Sequence, residues 1–150
     1  MLATQPYKIL ITDDDVGCRE SLRSIVEPEG FRTYMASSGE EALDIVREEP
    51  IHLAMFDMHM PTLTGLETLE LVRQINALLP CILITADPDE DLIRQAFRAH
   101  VYSVIPKPVS KNVVLYTVVR ALRVYEVPRD RPSKPSNKPE VPPAVPPEED

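Results

Sequence analysis

Five short runs of apolar residues alternate along this chain with five longer stretches in which apolar residues recur every three or four positions. The short runs cover residues 7–12, 31–36, 51–56, 81–85 and 102–105. Short apolar runs predict strands that are buried on both faces of a sheet, whereas the longer spacing predicts helices with one apolar side. Strands that alternate with helices pair in parallel. The pattern therefore predicts an α/β fold with a doubly wound, five-stranded parallel sheet and five helices.

Proline divides the chain into two parts. Eight of the 16 prolines fall in the last 24 residues, where few large apolar side chains accompany them. A segment of that composition cannot bury a core and favours the polyproline II conformation. We therefore expect one folded domain over residues 1–126 and a disordered Pro-rich tail or linker over residues 127–150.

Charge and composition exclude several classes of protein. The formal net charge of −8 argues against direct binding of nucleic acid, because phosphate contacts require a basic surface. No apolar run approaches the roughly 20 residues that a membrane-spanning helix needs, and the amino terminus lacks the pattern of a secretory signal. Two cysteines, Cys18 and Cys81, are too few for a disulfide framework. We therefore expect a cytoplasmic protein that contacts neither nucleic acid nor membrane.

Polar side chains follow four of the five predicted strands, at the points where the strands end. They are Asp13, Asp14 and Asp15 after the first strand, Asp57 after the third, Thr85 at the end of the fourth and Lys107 after the fifth. In a parallel sheet the carboxyl ends of the strands lie at one edge, and ligands of such folds bind there. The sequence therefore predicts a functional site at this edge.

Each of these residues has an ordinary structural explanation when it is considered alone. An aspartate before a helix often caps it, a threonine hydroxyl often bonds to backbone, and a lysine is usually solvated. Together, however, they support one chemistry. Crowded carboxylates repel one another unless a cation lies among them, and oxygen ligands favour a hard ion such as Mg²⁺. A carboxylate can then attack phosphorus to form an aspartyl phosphate, whose oxygens a lysine and a hydroxyl stabilise.

Four segments, ILITDDD, MFDMHMPTLTGLE, ILITA and PKP, occur in an order and at a spacing that resembles the receiver (CheY-like) domain of bacterial two-component response regulators. The resemblance covers residues 6–126. It implies a flavodoxin-like sheet with strand order 2-1-3-4-5 and a phosphorylation-dependent switch in a two-component phosphorelay. The donor would be a sensor histidine kinase or a histidine phosphotransfer protein. Such a domain is not an enzyme with a separate substrate, because it catalyses only its own Mg²⁺-dependent phosphorylation and dephosphorylation.

Carried over residue by residue, the resemblance gives each residue of the predicted site a role. Asp57 matches the phosphoacceptor, and Thr85 and Lys107 match the residues that contact the phosphoryl group. The implied Mg²⁺ ligands are the carboxylates of Asp13, Asp14 and Asp57 and the backbone carbonyl of His59. Asp15 matches a position that is often acidic without binding the metal. In the family, the peptide bond equivalent to Lys107–Pro108 is typically cis.

Some positions depart from the family pattern and leave alternatives open. Val104 stands where an aromatic residue often moves with phosphorylation, and Tyr102 points to the opposite face by strand alternation. For this reason a phosphorylation-independent interaction module is the second interpretation. A Mg²⁺-dependent phosphohydrolase of another α/β family is the third, although such enzymes commonly carry a second aspartate where this chain has His59.

The predicted fifth helix carries more apolar residues than one inward-facing stripe requires. Those left over are Val113, Tyr116 and Val124. Arg120 and Arg123 on this helix, with Glu90 and Asp91 on the fourth, would supply complementary charges across a two-fold axis. We therefore expect a weak homodimer through the fourth and fifth helices. The Pro-rich tail leaves no room for a DNA-binding output domain, so we expect a stand-alone receiver or a fragment of a longer protein.

Overall fold

The computed structural model describes residues 6–130, in which five parallel strands form one sheet in the order β2-β1-β3-β4-β5. The strands are β1 (Lys8–Thr12), β2 (Arg32–Ala36), β3 (Leu53–Asp57), β4 (Cys81–Thr85) and β5 (Ser103–Pro106). The α-helices are α1 (Val16–Val26), α2 (Gly39–Glu48), α3 (Gly65–Ile75), α4 (Glu90–Arg98) and α5 (Lys111–Asp130). The predicted doubly wound α/β fold and its strand order are therefore confirmed.

Strand residues alternate between two apolar layers on either side of the sheet. Leu10 of β1 packs with side chains of α2, α3 and α4, whereas its neighbours Ile9 and Ile11 pack with side chains of α1 and α5. Every residue of β3 and β4 is buried, as expected for central strands of a parallel sheet covered on both faces. These layers hold the strand ends in fixed positions, which a site at one sheet edge requires.

Short polar side chains begin four of the helices by accepting a backbone hydrogen bond. Asp15 caps α1, Ser38 caps α2, Thr64 caps α3 and Asp89 caps α4. Ser38, for example, accepts at 3.1 Å from the N–H of Glu41. Each cap satisfies a donor that has no partner within its helix. These caps therefore fix the residues at which the loops from the carboxyl edge of the sheet pass into the helices.

Helix α5 extends beyond the predicted end of the folded domain. It begins at Lys111 and continues to Asp130, four residues past position 126. The boundary was predicted at the start of the proline cluster, whereas a helix can continue through one proline at the loss of one backbone hydrogen bond. Residues 131–150 of the predicted tail lie outside the described residues. Within residues 6–130, no helix combines the length and apolarity that a membrane span needs.

Arg73 of α3 ties together two turns at the amino edge of the sheet. Its guanidinium donates to the carbonyl oxygens of Leu79 at 2.6 Å, His100 at 2.7 Å and Ala99 at 3.3 Å. These carbonyls lie in the turns that follow α3 and α4, where no further helical N–H reaches them. Arg73 therefore fixes the turn between α4 and β5, in which His100 adopts a left-handed conformation with φ of 64°.

His100→Gly is expected to raise the free energy of unfolding, because a Cβ atom costs about 1 kcal/mol in the left-handed region. The greater freedom of glycine in the unfolded chain offsets part of this gain. Urea denaturation measures the change. His100→Ala is the control, since it removes the imidazole but keeps the Cβ atom. An equal gain in His100→Ala would show that the imidazole, and not the backbone conformation, is responsible.

Candidate functional site

The carboxyl edge of the sheet brings three carboxylates together. Asp13 is the first residue after β1, Asp57 is the last residue of β3, and these two strands are neighbours. The N–H of Asp13 donates to the carbonyl of Ala36 on β2 at 3.1 Å. One oxygen atom from each of Asp13, Asp14 and Asp57 lies within 4.8 Å of the other two. All three residues lie at the edge predicted from the sequence.

Lys107, which follows β5, reaches across the sheet edge to this cluster. Its Nζ lies 2.7 Å from Asp57 Oδ1 and 3.4 Å from Asp13 Oδ2, and both carboxylates are buried. Burial by itself lowers the pKa of Lys107, but the hydrogen bond to Asp57 and the charges of Asp13 and Asp57 outweigh it and raise the pKa above its ordinary value. Lys107 is therefore charged at neutral pH. Its peptide bond to Pro108 is cis, as the resemblance implies.

The three consecutive aspartates after β1 have different environments. Burial raises the pKa of the Asp13 carboxyl, and the charge of Asp57 adds to this effect, while a 2.9 Å hydrogen bond from the N–H of Asp15 offsets part of it. The Asp15 carboxylate caps α1 by accepting from the N–H of Cys18 at 2.8 Å, which lowers the pKa of Asp15. Asp14 is exposed. The ordinary capping explanation is therefore correct for Asp15, whereas Asp13 and Asp14 belong to the cluster.

Asp13→Asn is expected to stabilise the metal-free protein at pH 7 by about 1 kcal/mol, a common size for one substitution. The pKa of Asp13 is raised in the folded state. Stability is therefore lost as the pH rises from the unfolded to the folded pKa, because the unfolded chain ionises first. Urea denaturation in EDTA at pH 7 and at pH 4 measures the gain, which should shrink at the lower pH. A loss of stability at pH 7 would contradict this interpretation.

The other predicted residues lie at or near the same edge. Thr85 ends β4 and is fully buried, and its hydroxyl accepts a hydrogen bond from the N–H of Asp87 at 3.1 Å. His59 follows β3 with an exposed side chain, and the role of its carbonyl oxygen stays a prediction. Val104 packs against the layer of α2, α3 and α4, whereas Tyr102 packs against the layer of α1 and α5. The two side chains therefore face opposite sides of the sheet, as predicted.

Sequence reasoning assigned no role to Gly65, the first residue of α3. Its N–H donates to the carbonyl of Met58 at 2.9 Å, and a Cβ atom at this position would collide with the backbone carbonyl of Asp57. The lack of a side chain therefore lets α3 begin directly against the backbone that carries the Asp57 carboxylate. A glycine at the predicted start of a helix was the available signal.

Two residues near the start of α1 also reach the cluster, and sequence reasoning missed both. Cys18 Sγ lies 3.7 Å from Lys107 Nζ, and burial raises the pKa of the Cys18 thiol. Arg19 donates from Nη1 to the backbone carbonyl oxygen of Asp13 at 2.7 Å. The position of Arg19 in the sequence could have drawn attention to it. A cation close to the start of a helix is repelled by the helix dipole, so its presence there indicates a specific partner.

The cluster has the donor chemistry of a site for a hard divalent cation. Every donor that Asp13, Asp14 and Asp57 offer is an oxygen atom, and Asp14 leaves one side open to solvent while the other two are buried. Mg²⁺ binds through one or two carboxylates and keeps several waters. Lys107 supplies a single positive charge against three carboxylates, so the remaining negative charge favours a second cation. The residues present therefore fit a magnesium ion.

Comparison with known proteins places the chain among signalling proteins. Residues 9–119 match the family model of the response regulator receiver domain. The chain is 31% identical over 122 residues to response regulator RR06 of Streptococcus pneumoniae, a match that covers 81% of this chain and 56% of that protein. It is 37% identical over 89 residues to sporulation initiation phosphotransferase F of Bacillus subtilis, covering 59% of this chain and 72% of that protein.

The fold is shared with solved receiver structures. A CheY-like response regulator receiver domain protein from Methanospirillum hungatei matches with a TM-score of 0.79 at 28% identity, covering 82% of this chain and 98% of that one. Receiver domains of two-component systems are switched by phosphorylation, and they interact with histidine kinases or phosphotransfer proteins. The strand order is the one expected of a receiver domain, and the family model matches residues 9–119. The chain belongs to the response regulator receiver domain family.

Proposed function

We propose that this domain is a phosphorylation-dependent switch, in which Asp57 accepts a phosphoryl group from a histidine kinase or a histidine phosphotransfer protein in the cytoplasm. One observation carries the proposal. Lys107 Nζ lies 2.7 Å from Asp57 Oδ1, beside a cluster of carboxylates that could hold a metal ion. Phosphoryl transfer to a carboxylate requires this combination, since the phosphoryl oxygens carry negative charge that a lysine and a metal neutralise.

In the proposed reaction an oxygen of the Asp57 carboxylate attacks the phosphorus of a phosphohistidine. A P–O bond forms, the P–N bond breaks, and the imidazole leaves with the electron pair and takes a proton from solvent. Lys107 would bind an oxygen of the transferred group, while Asp13, Asp14, Asp57 and the His59 carbonyl would hold the metal. Bound Mg²⁺ supplies further positive charge to the phosphoryl oxygens. Water then attacks the phosphorus, the P–O bond to Asp57 breaks, and inorganic phosphate leaves while the carboxylate is restored. The proposed domain thus catalyses a reaction on its own side chain.

The hydroxyl of Thr85 is the proposed sensor of phosphorylation. It accepts from the N–H of Asp87 at 3.1 Å and lies on β4, the neighbour of β3. A phosphoryl group on Asp57 offers the hydroxyl proton a charged acceptor, which binds more strongly than a neutral one. Movement of Thr85 toward it shifts the loop that leads into α4. Because Val104 is aliphatic and partly buried, this signal passes through the loop and α4 without the swing of an aromatic ring.

A weak homodimer through α4 and α5 is the proposed response to phosphorylation. Among residues 111–124 of α5, whose side chains the structure describes, four apolar ones are exposed, namely Val113, Tyr116, Val119 and Val124. Phe97 of α4 is also exposed, with 51% of its surface accessible. Both helices pack against the edge strand β5. Apolar residues that reach solvent along one edge of a domain are typical of a protein contact surface.

Some of the acidic side chains predicted to form ion pairs across the dimer already form ion pairs within one chain. Glu90 and Asp91 lie 3.8 Å and 3.4 Å from Arg94 of the same helix, so charge pairing across a two-fold axis competes with these contacts. Sedimentation velocity of the protein with and without beryllofluoride, a phosphoryl mimic, measures the association. We expect more dimer with the mimic, and a monomer in both states at high concentration would contradict the dimer.

Incubation of the full chain with acetyl phosphate and Mg²⁺, followed by measurement of the intact mass, tests the proposed function. We expect one phosphoryl group per chain and none when EDTA replaces Mg²⁺. Chains that take up no label in either condition would favour the phosphorylation-independent interaction module. Equal labelling in Mg²⁺ and in EDTA would contradict the metal site.

A further inference from the structure

Arg19 makes a contact that the proposed phosphoryl transfer does not use. Its Nη1 donates to the backbone carbonyl oxygen of Asp13 at 2.7 Å. The N–H of Asp13 donates in turn to the carbonyl of Ala36 at the end of β2. Both polar groups of the Asp13 backbone are therefore held, one by the sheet and the other by a side chain of α1.

The carbonyl that Arg19 holds belongs to the peptide group between Asp13 and Asp14. Because a peptide group is planar, fixing its oxygen fixes the direction in which the chain enters Asp14. On the other side, the N–H of Asp15 donates to Asp13 Oδ1 at 2.9 Å, and the Asp15 side chain caps α1. Asp14, the exposed member of the carboxylate cluster, therefore lies between two restrained neighbours.

We propose that Arg19 is a positioning residue for the metal site, because its hold on the Asp13–Asp14 peptide directs the Asp14 carboxylate toward the bound Mg²⁺. The inference rests on the proposed function, which assigns Mg²⁺ to this cluster. Repulsion between Arg19 and the metal is the opposing effect. The carboxylates of Asp15 and Glu41, on which the charge of Arg19 acts, offset part of this repulsion.

Calorimetric titration of the full chain with Mg²⁺ compares Arg19→Met with Arg23→Met. Arg23 lies one turn further along α1, where it pairs with Glu20 and Glu27, so its replacement removes a guanidinium from the same helix without touching Asp13. Loss of a residue that orients a metal ligand typically weakens binding by about tenfold or more. We expect the Kd for Mg²⁺ to rise by about tenfold in Arg19→Met and to stay within about twofold of wild type in Arg23→Met. Arg19→Lys, which keeps a donor, should restore part of the affinity.

A double-mutant cycle separates positioning from a general loss of stability. In an Asp14→Ala background we expect Arg19→Met to leave the residual Mg²⁺ affinity unchanged, because the carboxylate that Arg19 directs is gone. An equal effect in both backgrounds, or an equal loss in Arg23→Met, would overturn the inference. An unchanged Kd for Mg²⁺ in Arg19→Met would also overturn the inference about Arg19, but it would leave the proposed function intact. Wild-type protein that binds no Mg²⁺ would overturn both.

Discussion

Asp57→Asn is expected to take up no phosphoryl group from acetyl phosphate and Mg²⁺ under conditions that label the wild-type chain. The carboxamide keeps the size of the side chain but is uncharged and a poor nucleophile toward phosphorus. Asp57 lies closer to Lys107 Nζ than Asp13 does, at 2.7 Å against 3.4 Å. The cation is therefore best placed to stabilise a phosphoryl group on Asp57. Intact mass spectrometry measures the label, which should fall to background.

Asp87→Asn is the matched control for this loss. Asp87 is exposed near the same sheet edge and contacts Thr85 through its backbone N–H alone, so its carboxylate can be neutralised without disturbing the cluster. We expect this variant to be labelled to nearly the wild-type extent. Persistent label in Asp57→Asn would move the acceptor to Asp13 or Asp14 and refute the assignment of Asp57.

Lys107→Met is expected to lower the free energy of unfolding in EDTA at pH 7 by about 3 kcal/mol, because removal of one partner leaves buried charge uncompensated. Lys107 contacts two buried carboxylates, those of Asp13 and Asp57. Its pKa is raised in the folded state, so its stabilising effect is complete below the ordinary lysine pKa and is lost only as the pH rises through the folded value. At pH 7 the variant therefore loses the whole contribution.

Mg²⁺ should restore part of the stability of Lys107→Met, because a bound cation replaces the lost positive charge and stabilises the folded state by mass action. Urea denaturation with and without millimolar Mg²⁺ measures the recovery. Lys111→Met is the control, since Lys111 is exposed at the start of α5 and its removal should change stability by less than about 0.5 kcal/mol. Equal losses in the two variants would mean that Lys107 does not neutralise the cluster.

The order of apolar runs was sufficient to place Asp13, Asp57 and Lys107 at one sheet edge, because parallel strands share a direction and their carboxyl ends coincide. The ion pair between Lys107 and Asp57, however, could not be predicted from the spacing of apolar residues. Lys107 and Asp57 are 50 residues apart, and their 2.7 Å ion pair depends on how β3, β4 and β5 stack in register. The family resemblance assigned Lys107 to the phosphoryl group on Asp57, but no sequence argument predicted the direct ion pair between the two side chains.

The run of three aspartates shows where residue-level prediction stops. Asp15 and Asp13 are both acidic residues just before a helix, yet one caps α1 and the other continues the hydrogen bonding of the sheet through Ala36. The difference depends on the residue at which the chain leaves the sheet, and sequence patterns locate such boundaries only to within about two residues. Arg19 and Gly65 were missed for a related reason. Each contacts the backbone of a site residue, and neither is a metal ligand or a phosphoryl acceptor that a sequence pattern would single out.

The sequence placed helices α4 and α5 correctly but was less accurate about which residues of α4 are buried and where α5 ends. The apolar spacing that predicts the fourth helix includes Phe97, but among the residues of α4 only Ala96 is fully buried. A short helix at one side of the sheet covers little of it, so one residue of the predicted stripe reaches solvent. Composition likewise ended α5 at residue 126, whereas the helix continues to Asp130.

The most direct measurement of phosphorylation at Asp57 is chemical trapping of the labelled residue. Sodium borohydride reduces an acyl phosphate to an alcohol, which converts a phosphorylated aspartate into homoserine. Peptide mass spectrometry of wild-type protein treated with acetyl phosphate, Mg²⁺ and borohydride then identifies the position. We expect homoserine at position 57, and only in samples that received both Mg²⁺ and the donor. Homoserine at position 13 or 14, or a borohydride-resistant phosphate on a hydroxyl side chain such as Thr85, would contradict the proposed switch.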